Sequence, residues 1–411
     1  MTHEATDMVR SIDDENELSG VMLQKLIIST SMHVEQIDGS AATIYLRGSG
    51  ARIRIPLKAY DLLLKFKTPQ ESASVIGVDD RKRSMIEGFW KRGFLVGEDA
   101  AAKLEPKAAL ISHPVRLFNC PAYKLNQSDS DIILVGVPYD FGDSAAAGAR
   151  QGPRALREAS LQLSYETDRF SGEPLGWFDA DHICPILPGV TISDCGDVLV
   201  EPGERQAELF ARVSKALSEV IGANTMPVIL GGDSVVSFPL IELMQARQPL
   251  SVIRIGRITP QISPYGSSFV SNATLPGQLL ALPNISQFLQ VGPCHQGVCQ
   301  PGGLAMATPV TIRREGIKAL EQHVVVEQAV HIGIDMNALL PPGELVDNHV
   351  GNCEFFTYEE LRTLLIEIGE RYRIVSLDLV GLNPSASCWG ANSIAALYIL
   401  LTGLSAALDR R

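Results

Sequence analysis

The feature that most constrains this chain is a series of short, continuously apolar runs beginning just after Asp131. IILVGVPY (132–139), PVILGG (227–232), LSVIRIG (250–256), QFLQVG (287–292), AVHIGID (329–335) and RIVSLDLVGL (373–382) share one style. Runs of this length without polar alternation read as strands buried on both faces. Helical patterns lie between some of them, at 204–222 and 357–372. Strands alternating with helices predict an α/β fold in three layers, α/β/α, around a parallel sheet. In such sheets ligands bind in the crevice at the carboxyl ends of the strands. Polar residues, Gly or Pro follow each run at that end.

The 411 residues are enough for two domains. Residues 1–20 are acidic and polar, with no basic stretch leading into an apolar one. They predict a flexible tail rather than a signal peptide. Residues 21–100 predict a small α+β domain. AATIYLRG and ARIRIPL, parted by Gly48 and Gly50, form a hairpin. Pro56 opens a helix over LKAYDLLLKF. Thr68, followed by Pro69, caps a second helix. DDRKRSMIEGFWKRGFLV gives an amphipathic helix ending near Gly93 and a short strand at 94–96. The order strand, strand, helix, helix, helix, strand is winged-helix-like. It resembles the PqqD-like domains that bind leader peptides of ribosomally made peptides. That resemblance implies a peptide or protein partner, taken up by adding a strand to an open sheet edge. A packing or oligomerisation domain has the same pattern. Residues 101–130, with three prolines, predict a linker, and 131–411 the larger domain.

The net charge of -12 and the absence of a basic stripe argue against nucleic acid as a partner. The apolar stretch 395–408 is too short to span a membrane and reads as a buried helix. Seven scattered cysteines, in a chain that needs no staples, predict reduced thiols and a cytoplasmic protein.

Five segments carry a resemblance. They are GVPYDFGDSAAAGARQGPRALREAS (136–160), SDCGDV (193–198), VILGGDS (228–234), HIGIDMN (331–337) and VSLDLVGLNP (375–384). In this order they resemble the ureohydrolase (arginase/agmatinase) family. The resemblance implies an arginase-like sheet and assembly as trimers or hexamers, as a homo- or hetero-oligomer. It also implies a pair of manganese-type ions activating a water, held by two histidines and four aspartates at strand ends. At those positions this chain carries Ser234 for a histidine, Gly256, Ile258 and Pro260 for Asp, His and Asp, and Asn337 for an aspartate. Only Asp335 stays. Gly381 stands where the family's guanidinium-holding Glu is expected. No shift of register repairs this, because positions 245–294 hold no Asp, Glu or His. The expectation is therefore no metal and no cofactor.

Candidates for contacts in the crevice are Tyr139, Asp140, Asp143 and Arg150 on the first pocket loop, with Arg254, Arg257 and Gly381. Arg257 sits inside the former metal motif. Its guanidinium would oppose a dication, or pair with Asp335, or bind an anion. Alternatively both arginines face solvent or a neighbouring subunit. Cys294, His295 and Cys299 suggest a zinc site or a nucleophile only weakly, and a loop with incidental thiols is the plainer reading. His331 reads as a core histidine, and Asp233 as an acceptor of backbone hydrogen bonds. Gly231 and Gly232 read as a close backbone approach without the ending of a phosphate-binding loop.

The expected function is a catalytically silent ureohydrolase-like subunit that binds a partner, in a setting such as peptide modification. One rival is a repurposed metal-independent enzyme using Ser234, Arg257, Asp335 and Asn337. Another is an amidinohydrolase with atypical metal ligands.

Overall fold

The computed structural model describes residues 25–46, 51–98, 115–123, 130–142, 147–180, 183–258, 269–294, 305–326, 328–339, 354–384 and 391–408. The chain forms two compact units. One comprises 1–114 with 167–174, and the other 115–166 with 175–411.

The first unit holds six described strands: β1 (Lys25–Ile28), β2 (Met32–Ile37), β3 (Ala41–Leu46), β4 (Arg52–Pro56), β5 (Gln70–Glu71) and β6 (Leu95–Gly97). Two antiparallel sheets form, in the orders β5-β1-β6 and β2-β3-β4. The expected hairpin is β3–β4. Helix α1 (Leu57–Leu64) starts directly behind Pro56, whose missing N–H is not needed there. α2 (Ser72–Ile76) starts later than Thr68 because Gln70 and Glu71 pair with β1 instead. α3 (Asp80–Lys91) is capped by Asp79, which accepts from Arg81 N and Lys82 N at 3.0 and 3.2 Å. Gly93, at φ +78°, ends it with a left-handed residue. Leu26, Ile44, Leu63, Phe66, Ile86 and Phe94 are part of the buried core.

A turn from much later in the chain, 167–174, belongs to this unit. Asp168 shapes it by accepting from Phe170 N and Ser171 N at 2.9 and 2.7 Å. Tyr60 donates its hydroxyl to the Phe170 carbonyl. Lys67 Nζ lies 4.5 Å from the Phe170 ring centre. Arg169 donates to the Ser29 carbonyl at 2.7 Å.

The second unit is built on an eight-stranded sheet in the order β10-β7-β11-β16-β15-β12-β13-β14, with every pair parallel. The strands are β7 (Ile132–Val137), β10 (Ile192–Asp197), β11 (Met226–Gly231), β12 (Leu250–Ile255), β13 (Ile285–Val291), β14 (Ala305–Ala307), β15 (Ala329–Asp335) and β16 (Arg373–Val380). A separate hairpin pairs β8 (Trp177–Asp179) with β9 (Cys184–Ile186). The described helices are α4 (Gly152–Ala159), α5 (Gln206–Val220), α6 (Phe238–Arg247), α7 (Leu275–Leu280), α8 (Pro309–Glu315), α9 (Lys318–Glu321), α10 (Tyr358–Arg371) and α11 (Ala391–Leu408).

Alternate residues of one strand feed opposite cores. Ile132, Leu134, Ile332 and Leu377 join Leu364 and Leu400 of α10 and α11. Ile133, Val135, Ile229 and Val252 join Leu209 and Leu240 of α5 and α6. This two-sided burial is why the strand sequences lack polar alternation. Leu117, Phe118 and Cys120, from the stretch expected to be a linker, lie in the core that holds Leu364 and Leu400. Asp194 fixes them by accepting from Leu117 N at 2.8 Å. No described helix is long and apolar enough to cross a membrane.

Candidate functional site

β11, β16, β15 and β12 are consecutive neighbours, so their carboxyl ends converge. β11 runs into Gly232, where a Cβ would lie 1.8 Å from the Tyr139 carbonyl oxygen. Only glycine fits that approach, as the sequence suggested. Asp233 then ties two loops together, accepting from Gly142 N at 2.6 Å and Val235 N at 3.1 Å. Its carboxylate is thereby occupied with backbone, as expected.

Ser234 turns inward and donates to Asp335 Oδ2 at 2.7 Å. Asp335 ends β15 and is only 4% exposed. Its Oδ1 accepts from Asn337 N at 3.0 Å. Two glycines make room for the Asp335 side chain. A Cβ on Gly256 would come within 2.8 Å of Asp335 Cβ. One on Gly381 would come within 2.0 Å of Asp335 Oδ1. Asp335 therefore lies across the points from which side chains at 256 and 381 would project. Ile258 is buried and donates its N–H to the Pro293 carbonyl at 2.8 Å. Asn337 is exposed. Pro260 and Asp143 lie outside the described residues.

The partner of Asp335 differs from the one considered most closely in the sequence. Arg254 is buried, with Nη2 3.7 Å from Asp335 Oδ2. Arg257 is exposed. The reason is strand alternation: Arg254 and Gly256 face the same side as Asp335, whereas Arg257 has the opposite parity and lies past the strand end.

Beneath these residues lies a polar layer. His331 is fully buried, with Nδ1 2.8 Å from Ser376 Oγ and Nε2 2.7 Å from Asp378 Oδ2. It is a satisfied core histidine. The Ser–His–Asp succession is not a nucleophilic site, because Ser376 stands buried in mid-strand where no substrate reaches.

On the first pocket loop, Asp140 points inward and accepts from Gly148 N at 2.7 Å and Arg150 N at 3.3 Å. It holds the loop. Tyr139 is buried, and its hydroxyl accepts from Gln206 Nε2 at 3.3 Å. Burial pushes its phenol pKa up. Arg150 is exposed beside Phe141, 5.9 Å from the ring centre.

Sequence reasoning missed the Arg157 cluster. Arg157 grips Asp194 at 2.8 and 3.0 Å and Asp197 at 2.5 Å. Burial opposes its charge, yet the two carboxylates outweigh this and hold its pKa above the ordinary value. The signal was a buried arginine pattern on α4 facing an Asp-rich strand end. The expectation of reduced thiols also needs correction. Cys294 is disulfide-bonded. A bonded sulfur is neither a zinc ligand nor a nucleophile. His295 and Cys299 are outside the described residues.

The donor set does not fit a pair of divalent ions. Asp335 already receives Ser234, the Asn337 N–H and the Arg254 charge. Among the described residues no group of three or more His, Cys, Asp or Glu side chains is placed to share a metal ion.

An eight-stranded parallel sheet with its motif residues at four adjoining strand ends defines an arginase-like α/β fold. The chain belongs to the arginase family, whose sequence model matches residues 130–404. Agmatinases of Shigella sonnei (strain Ss046) and Escherichia coli O1:K1 / APEC are each 28% identical over 134 residues, 32% of this chain. The matched part spans 40% of the length of these curated relatives. Among solved structures, a hypothetical agmatinase from Burkholderia thailandensis aligns with a TM-score of 0.59 at 16% identity, over 73% of this chain and 91% of that one. Proclavaminate amidino hydrolase from Streptomyces clavuligerus gives 0.56 at 19%, over 72% and 97%. At such identities these structures share the fold alone.

Proposed function

We propose that this protein is a metal-free, catalytically silent member of the arginase family that acts as a binding or partner subunit. One observation carries the reading. The Asp335 side chain occupies the space that side chains at positions 256 and 381 would need, with its Cβ against the first and its Oδ1 against the second. The strand ends are thus closed by the chain's own groups rather than left open for a metal pair and a guanidino or formimino substrate. The family's hydrolytic chemistry needs an activated water on metal, and nothing in the described site supplies it. In this reading the chain assembles with copies of itself or with an active relative, and the small first unit recruits a peptide or protein through an open strand edge.

The test is metal analysis of the purified protein after incubation with manganese, alongside assays for urea release from agmatine and arginine. No stoichiometric metal and no urea are expected. Stoichiometric manganese, or hydrolysis by the chain alone, overturns the proposal.

A further inference from the structure

Arg254, Gly333 and Asp378 are register partners on β12, β15 and β16, so they lie in one row across three neighbouring strands. The middle position has no side chain. A Cβ on Gly333 would meet the two Asp378 carboxylate oxygens at 3.3 and 3.4 Å and Arg254 Cγ at 3.7 Å. The bare Cα therefore leaves a gap between the Asp378 carboxylate and the aliphatic stem of Arg254. Asp335 adds a second carboxylate, 3.7 Å from Arg254 Nη2. Arg254, Asp335 and Asp378 are all buried. Two of their atoms, Arg254 Nη1 and Asp378 Oδ1, have no hydrogen-bond partner in the protein. Both residues line a void of about 10 Å³, together with His331, Gly333 and Asp335. That is room for one water.

Buried carboxylates are very costly unless paired. In a metal-free site the compensating positive charge has to come from the chain. We propose that Arg254 is this resident cation: its guanidinium, paired with Asp335 and lining the same void as Asp378, does the charge-compensating work of a metal, and one buried water in that void joins Nη1 to Asp378 Oδ1. A water suits the gap because it donates to the carboxylate and accepts from the guanidinium at once. The inference rests on the metal-free reading above and names what makes that state stable.

A double-mutant cycle on the full chain, read by thermal unfolding, tests it. Arg254→Met and Asp335→Asn should each lower the midpoint, by on the order of 10 °C for Arg254→Met. The double variant should be more stable than Arg254→Met alone, because each change leaves the other charge without its partner. Additive losses overturn the proposal, and the double variant keeps the test decisive if Arg254→Met does not fold. For the water, Gly333→Ser supplies a hydroxyl in the gap and should unfold at a higher temperature than Gly333→Ala, which fills the gap without a donor. Equal midpoints for the two overturn the bridging water. Manganese bound by the wild-type chain would sink the metal-free reading whatever the cycle shows. Additive losses without bound metal would sink only the resident cation.

Discussion

At the scale of single residues, Gly381 stands in a place where no side chain fits. Its φ of +74° already disfavours any side chain. A Cβ there would also collide with Asp335 Oδ1 at 2.0 Å. Placing a carboxylate there by Gly381→Glu, the residue the family resemblance would put at this position, should therefore destabilise the protein, by more than about 2 kcal/mol, and produce no urea from agmatine. Urea denaturation and an activity assay check both halves. Ser234→Ala is a milder change that leaves Asp335 Oδ2 without its hydroxyl donor and should cost about 1–3 kcal/mol, read as a lower denaturation midpoint at unchanged slope. Tyr60 offers a pH handle. Burial first, then the charges of Asp168 and Asp61, push its phenol up to about 12, against about 10 in an unfolded chain. The unfolded chain thus releases this proton first. The stabilisation is complete below about pH 10 and is lost as pH rises through about 12. Tyr60→Phe should flatten the alkaline loss of stability of the first unit, and tyrosinate absorbance should lose one high-pH step.

At the scale of elements, local sequence was a good guide wherever an element is decided by its own residues. β15 spans the expected 329–335, and β16 begins at the expected Arg373. α10 starts behind Thr357, which accepts from Glu360 N at 3.2 Å while the Glu360 carboxylate accepts from Thr357 N at 2.8 Å. Thr357→Ala should cost about 1 kcal/mol, measurable as faster amide exchange in the first turns of α10. Reading failed where a distant partner decides. β1 and β2 carry little pattern of their own, so with β5 the first unit has three more strands than expected. Gln70 and Glu71 became a strand because β1 presents an edge to them. The turn 167–174 is equally invisible, since nothing near Phe170 announces that Tyr60 and Lys67 receive it. Phe170→Ala should speed amide exchange in α1 and leave β11, β15 and β16 unchanged. Unaltered exchange in α1 would mean the turn contributes nothing to that unit.

At the scale of the whole molecule, the sheet is buried on both faces, and on the metal-free reading proposed above its stability does not depend on a metal. A strong chelator should leave the thermal midpoint of the second unit unchanged, whereas a metal-dependent fold would lose stability by linkage. The sequence by itself determined the parallel sheet, because runs such as those at 132–139 and 329–335 are apolar on both strand faces and fit no exposed surface. It also determined the poverty of ligands, because positions 245–294 contain no Asp, Glu or His in any register. The tertiary structure decided which groups meet at the strand ends. Arg254 and Asp335 are far apart in sequence, and only the adjacency of β12 and β15, with the parity of each side chain, puts them together. Parity also sent Arg257 outward. The bonded state of Cys294 is likewise something that the spacing of the cysteines along the chain does not encode.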